Sequence, residues 1–272
     1  MAKAACEVPR VSPLHALARR PLGFLVATAA LVTGCAPAPA AHWGYAPPED
    51  PSRWADLSPD FKACRTGAHQ SPIDLPKAGG PLEAPALSFS YQPFPLAIYN
   101  NGHAIQITAA GGSSISLGPG PDDRYELVQF HMHTPAEHKV AGQGYDMELH
   151  LVHKNAAGQL AVVGLLFQKG ADNPLLAPIT DHAPKEISKE GQAVRGIEVD
   201  VSKLLPAQLD YYSYDGSLTA PPCSETVKWF VMTAVGTIGP GQLAKLEEAG
   251  HGPNARPVQP VRGQVSHRGS SK

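Results

Sequence analysis

Gln129-Phe130-His131-Met132-His133 carries the clearest chemical potential in this sequence. On a β-strand, side chains alternate between faces, so Gln129, His131 and His133 point one way while Val128, Phe130 and Met132 point the other. One face is polar with two imidazoles side by side, and the other reads as core. A second stretch repeats the arrangement, with Glu148, His150 and Val152 opposed to Leu149 and Leu151. If the two strands are neighbours with their polar faces aligned, three imidazoles converge. Three neutral histidine nitrogens suit a borderline-soft ion such as zinc, and they leave one tetrahedral position open, which marks a catalytic rather than a structural site. Gln129 is placed to receive the outer N–H of His131, and Glu148 that of His150; such partners fix the tautomer and direction of a ligating ring. A lone His-x-His also fits a hydrogen-bonded surface pair. Among twelve histidines, spacing alone leaves His138 and His153 open as ligands.

The elements that must position these residues are short. Apolar stretches at 87–91, 104–108, 115–117, 127–133, 149–153, 162–167 and 227–232 are separated by Gly, Pro, Asn and Asp. Their alternation and their β-branched and aromatic content predict strands. Helical patterns are confined to 242–249 and 174–181. With Gly and Pro plentiful and charged residues scarce, a β-dominated domain around one large sheet is expected.

A chain of 272 residues is long enough for one full core plus an export segment. Its net charge of −2, without long basic or acidic blocks, gives no electrostatic case for nucleic acid or an anionic membrane surface. Arg19-Arg20 precede an apolar run at 22–32, too short for a permanent bilayer span and suited to a signal peptide. The run ends in Val32-Thr33-Gly34-Cys35, which resembles the lipobox of bacterial lipoproteins and makes Cys35 a candidate for lipidation. The competing reading is ordinary cleavage near Ala38-Pro39-Ala40. Residues 1–34 are thus expected to be a signal segment, 35–41 a stiff Ala/Pro tether, 42–265 the folded domain and 266–272 a polar tail. The expected location is periplasmic, with the chain tethered by Cys35. Ala36, standing where inner-membrane lipoproteins commonly carry Asp, tips the preference to the outer membrane or cell surface. Cys64 and Cys223 are then the two cysteines of the domain, and in an oxidising compartment they are expected to pair, with two unpaired buried thiols as the alternative.

These residues together resemble the alpha-class carbonic anhydrase family. The metal-site stretches 129–133 and 148–153 and the intervening Glu137-His138 look like its metal-binding core. His42-Trp43-Gly44-Tyr45 resembles its opening, Gln70-Ser71-Pro72-Ile73 an early turn, and Asn100-Asn101-Gly102-His103 its shuttle segment. Ser217-Leu218-Thr219-Ala220-Pro221-Pro222 resembles its active-site loop, and Asn254-Ala255-Arg256-Pro257-Val258-Gln259-Pro260 its closing stretch. The matches run in order through almost all of 42–265.

The resemblance implies a single α+β domain built on a large, mostly antiparallel twisted sheet with short peripheral helices. It implies a zinc enzyme that reversibly hydrates carbon dioxide to bicarbonate through hydroxide on the metal. His131, His133 and His150 would be the ligands, and Thr219 would accept from the hydroxide while donating to Glu137. Val152, Val162, Leu218 and Trp229 would form an apolar wall for carbon dioxide, and His103 would carry the proton away. Cys64 and Cys223 match a disulfide of exported members. Ala220, where many animal members carry a second hydroxyl, and Thr134, where they typically carry Trp, depart from the pattern without touching this chemistry. A catalytically silent, carbonic-anhydrase-like binding module and a zinc esterase are the alternative readings.

Overall fold

Strong alternation of apolar and polar side chains makes the middle of this chain a sheet with two different faces. The computed structural model describes residues 41–77, 83–262, 264 and 266–271. The expected signal segment, Cys35 and the expected tether through residue 40 lie outside the described residues. The strands are β1 (Asp74–Leu75), β2 (Ser88–Ser90), β3 (Phe94–Asn100), β4 (Ile105–Thr108), β5 (Ser114–Ser116), β6 (Arg124–His133) and β7 (Lys139–Val140). They continue with β8 (Met147–Lys154), β9 (Leu160–Lys169), β10 (Gln192–Val199), β11 (Asp210–Gly216), β12 (Val227–Ile238) and β13 (His267–Ser270). The α-helices are short: α1 (Trp54–Leu57), α2 (Ala63–Thr66), α3 (Ala177–His182) and α4 (Pro240–Ala249). Among the described residues no helix is long and apolar enough to cross a membrane.

The large sheet runs β10-β3-β4-β6-β8-β9-β12-β11-β13, with β5 also pairing β6 and carrying β2. Every pairing in it is antiparallel except β9 with β12. One face carries the main core, where Phe130 and Met132 of β6 and Leu149 and Leu151 of β8 pack with Leu96, Ile107, Val163, Phe230 and α4 residues Leu243 and Leu246. Each fully buried aliphatic side chain there is worth about 1.5–3 kcal/mol of transfer free energy. The opposite face carries a smaller cluster, in which Val162, Tyr214, Val227, Trp229 and Val231 pack with Ile73 and Leu75.

Two glycines permit close approaches within strands. A Cβ on Gly164 of β9 would meet Glu148 Oε1 at 2.8 Å, and one on Gly269 of β13 would run into the Tyr211 ring. The polar segment expected as a tail therefore contributes an edge strand: 267–270 pair antiparallel with β11, Ser213 opposite His267. Its side chains carry no strand signal, and the main chain supplies the pairing. Cys64 and Cys223 form a disulfide across 159 residues of sequence, a closure worth at most roughly 4–5 kcal/mol in the chain-entropy account.

His153, on the core face of β8, is fully buried, with Nδ1 3.3 Å from the Ala161 carbonyl and Nε2 3.0 Å from the Tyr91 hydroxyl. The carbonyl accepts only, so Nδ1 is the donor, Nε2 accepts from Tyr91, and the ring is neutral. Burial lowers its pKa to about 3, against 6.5 ordinarily. Between these values the unfolded chain binds a proton that the folded chain refuses. Stability from this group is therefore complete above about pH 6.5 and is lost as pH falls towards 3, by on the order of 4 kcal/mol. His153→Gln, which keeps a donor and an acceptor, is expected to flatten the fall in urea-unfolding free energy between pH 7 and pH 4. An unchanged difference from wild type across that range would refute the assignment.

Candidate metal centre

Register brings the ligand candidates together. β6 and β8 pair antiparallel with His131 directly opposite His150 and His133 opposite Glu148. Strand alternation then places His131, His133 and His150 on one face, with ring centroids 4.9, 5.3 and 4.6 Å apart. One nitrogen from each lies within 4.8 Å of the others. His131 Nδ1 is 2.9 Å from Gln129 Oε1, and His133 Nδ1 is 2.7 Å from the Asn254 carbonyl. Both partners accept, which leaves each Nε2 as a lone-pair donor facing the common space. His150 presents the opposite edge: its Nε2 lies 2.9 Å from Glu148 Oε1, although the ring N–H falls outside hydrogen-bond geometry.

The electrostatics favour uncharged rings. Burial, reinforced by mutual repulsion with His133 and His150, holds the pKa of His131 well below the usual histidine value. Burial likewise lowers His133 and His150. For Glu148, burial opposes ionisation, but His138 and His150 outweigh it and hold the carboxyl well below the ordinary range. Among the described residues, His133 Nε2 is a buried nitrogen with no hydrogen-bond partner. A neutral three-imidazole set with an orphaned buried donor fits zinc with an open coordination position.

A second group, His138, Glu148 and His150, also places donor atoms within 4.8 Å, but its atoms are already committed. His138 Nδ1 is 2.7 Å from Glu148 Oε1, and its Nε2 is 2.7 Å from the Tyr214 hydroxyl. Glu148 Oε2 accepts from the backbone N–H groups of Glu137 and His138 at 3.0 and 2.8 Å. This is a sealed hydrogen-bond network that braces the site. His153, the other histidine left open by spacing, faces the main core.

The remaining expected residues surround the three rings. A cavity of about 220 Å³ is lined by His131, His133 and His150 together with Val152, Val162, Leu218, Thr219 and Trp229. Trp229 Nε1 donates to the Ser217 carbonyl at 3.0 Å, which holds the Thr219 loop against β12, and Ser217 Oγ accepts from Ser71 N at 2.9 Å, which ties it to the turn before β1. The loop is tied again where Cys223 is bonded to Cys64. Glu137 is buried beside the ligands, its Oε2 3.6 Å from His133 Nε2. Its Oε1 accepts from Arg256 N at 2.8 Å. Burial raises its pKa to about 7, with the Thr219 hydroxyl close enough to pull it partly back. Even so, among the described residues no donor stands in hydrogen-bond geometry to Oε2.

His103 stands at the cavity mouth, its ring stacked on Trp43 at 3.7 Å and 5°. Burial, then the nearby His42, lowers its pKa. Sequence reasoning missed the Asn254 carbonyl, the Tyr214 end of the network, and Trp43 as the stacking partner of His103. A carbonyl has no residue-type signature, whereas Trp43 stood within a motif already noted.

The family model for eukaryotic-type carbonic anhydrases matches residues 49–267. A carbonic anhydrase of Nostoc sp. is 42% identical over 234 residues, covering 85% of this chain and 87% of the relative. The alpha-carbonic anhydrase of Thermovibrio ammonificans, solved with the inhibitor sulfanilamide, superposes with a TM-score of 0.74 at 36% identity, covering 85% of this chain and 99% of that one. Dioscorin, solved with ascorbate, gives a TM-score of 0.75 at 30% identity over 85% of this chain and 99% of its own.

Proposed function

This chain belongs to the eukaryotic-type, or alpha, carbonic anhydrase family and is a carbonic anhydrase, and on that premise we propose how its residues hydrate carbon dioxide to bicarbonate. The observation that carries the reading is the convergence of three neutral imidazoles, two of them braced by hydrogen bonds, beneath an apolar wall. His131 Nε2, His133 Nε2 and His150 Nδ1 would hold the zinc ion. When bound, zinc is a Lewis acid that makes hydroxide available at neutral pH, a general property for which carbonic anhydrase itself is the standing example.

The chain's own residues do the rest. Glu137 has Oε1 occupied by Arg256 N, so Oε2 is the oxygen left for Thr219. A threonine hydroxyl has one proton; donated to Glu137, it leaves only lone pairs facing the cavity. Thr219 would then only accept a hydrogen bond on that side, so an oxygen facing it would have to be the donor and would turn a lone pair towards the carbon. Val152, Val162, Leu218 and Trp229 exclude water from one side and offer carbon dioxide, which is uncharged, a weakly binding surface. Positioning matters there more than affinity.

Each turnover leaves a proton to remove, and His103 takes it. Its Nδ1 is buried without a partner among the described residues, and its lowered pKa keeps the ring neutral and ready to accept at neutral pH. His103→Ala is expected to slow turnover in dilute buffer by on the order of 10-fold or more and to be rescued by added imidazole. An unchanged rate in dilute buffer would remove His103 from the mechanism. Carbon dioxide hydration and ester hydrolysis measured on one preparation test the activity itself. Hydration far faster than esterolysis supports the reading; fast esterolysis alone would make the chain a zinc esterase.

The export reading stands with this function: the enzyme is placed beyond the cytoplasm, tethered through a lipid on Cys35. Labelled fatty acid should enter the wild-type protein and not Cys35→Ala, and equal labelling of both would reject the tether.

A further inference from the structure

One buried residue joins the metal strand to the shuttle turn. Asn254 is 5% exposed, and all its polar groups are engaged. Its carbonyl accepts from His133 Nδ1 at 2.7 Å, and its N–H donates to the Thr134 carbonyl at 3.0 Å. Its Oδ1 accepts from Thr134 N at 2.8 Å. Its Nδ2 forks, donating to the Met132 carbonyl on β6 and to the His103 carbonyl, each at 3.0 Å. Met132 lies between the ligands His131 and His133. The turn at 101–104 is braced from inside by Asn101 Oδ1, which accepts from His103 N and Ala104 N at 2.8 Å. Among the described residues, Nδ2 of Asn254 is the side-chain group that ties this turn directly to the ligand strand.

We propose that Asn254 is a positioning residue for proton transfer: its amide fork fixes the distance from His103 to the strand that carries His131 and His133. This rests on the reading of His103 as the proton carrier. An amide suits the task because its two N–H groups diverge at a fixed angle, so two carbonyls on different strands are held at one separation. Proton transfer through water depends steeply on how donor and acceptor are placed, and a shift of about 1 Å can cost up to roughly 10²-fold in rate. Attack on carbon dioxide depends instead on Thr219, Glu137 and the apolar wall, none of which the Asn254 side chain touches. Its loss should therefore separate the two halves of the cycle.

Asn254→Asp keeps the acceptor for Thr134 N and the main-chain carbonyl but loses the fork. Asn254→Ala removes the polar side chain without adding charge. Both are compared with His103→Ala in the full-length zinc-loaded protein, and either folded variant decides the matter. The expected result is kcat in dilute buffer roughly 10-fold lower, with kcat/KM and zinc content unchanged and kcat restored by imidazole. Adding Asn254→Asp to His103→Ala should slow it no further. Independently of activity, amide hydrogen exchange at His103 and Ala104 should speed up by about 10-fold in the metal-free protein. A parallel fall of kcat and kcat/KM, or loss of zinc, would make Asn254 merely structural and overturn the proposal. So would wild-type kcat in an Asn254 variant while His103→Ala is slow. If His103→Ala itself runs at the wild-type rate, the shuttle reading falls first and the proposal with it.

Discussion

Replacing His133 by alanine is expected to empty the protein of zinc and to lower carbon dioxide hydration by on the order of 10³-fold or more. The reason lies in the pairing of its two nitrogens. Nδ1 is spent on the Asn254 carbonyl, and Nε2 is buried with no hydrogen-bond partner among the described residues. An unpartnered buried polar atom is costly, and here the other two candidate histidines, His131 and His150, converge on the same space. The fold should survive the change, because the main core lies on the far face of the sheet around Phe130, Leu149 and Leu151. Metal analysis, a thermal melt and a hydration assay on the same sample check each part. A variant that keeps one zinc per chain would move the metal to the group of His138, Glu148 and His150, which does not use His133.

Thr219→Ala and Glu137→Gln are expected to lower turnover by roughly 10²-fold while zinc stays bound. The two substitutions act on one proton. Alanine removes the hydroxyl that accepts from the attacking oxygen. Glutamine is nearly isosteric, but the Arg256 N–H holds the side-chain oxygen at the Oε1 position, so its NH₂ must turn towards Thr219. The threonine would then accept there, and its own proton would face the cavity, where a lone pair is required. The effects should not add, since both variants break the same relay. Wild-type hydration by either variant would end the proposed role of the pair.

Most of the metal site was legible because it rests on strand alternation, which residue types report directly. Gln129, His131 and His133 alternate with Val128, Phe130 and Met132, and the same rule separates Glu148 and His150 from Leu149 and Leu151. Local spacing cannot give the register that sets His131 opposite His150. Nor can it show that the outer partner of His133 is a main-chain carbonyl 121 residues further along the chain. The unseen strands have their own reasons. β11 contains Tyr211, Tyr212, Ser213 and Tyr214, all buried, so no polar face betrays its period. β10 is largely exposed and interrupted by Gly196, and β13 reads as His-Arg-Gly-Ser, with nothing apolar to pattern. The parallel pairing of β9 and β12 within an otherwise antiparallel sheet depends on chain path, which composition does not encode. Glu137 would pass for a surface carboxylate by type; its role came from resemblance to the family, and the structure adds its burial beside the ligands.

Stopped-flow carbon dioxide hydration by the full-length protein, with zinc determined on the same sample, tests the central reading most directly. Fast hydration at one zinc per chain, abolished by chelation and restored by zinc, is the expected result. Full zinc occupancy without hydration would contradict it and leave a carbonic-anhydrase-like binding module in its place.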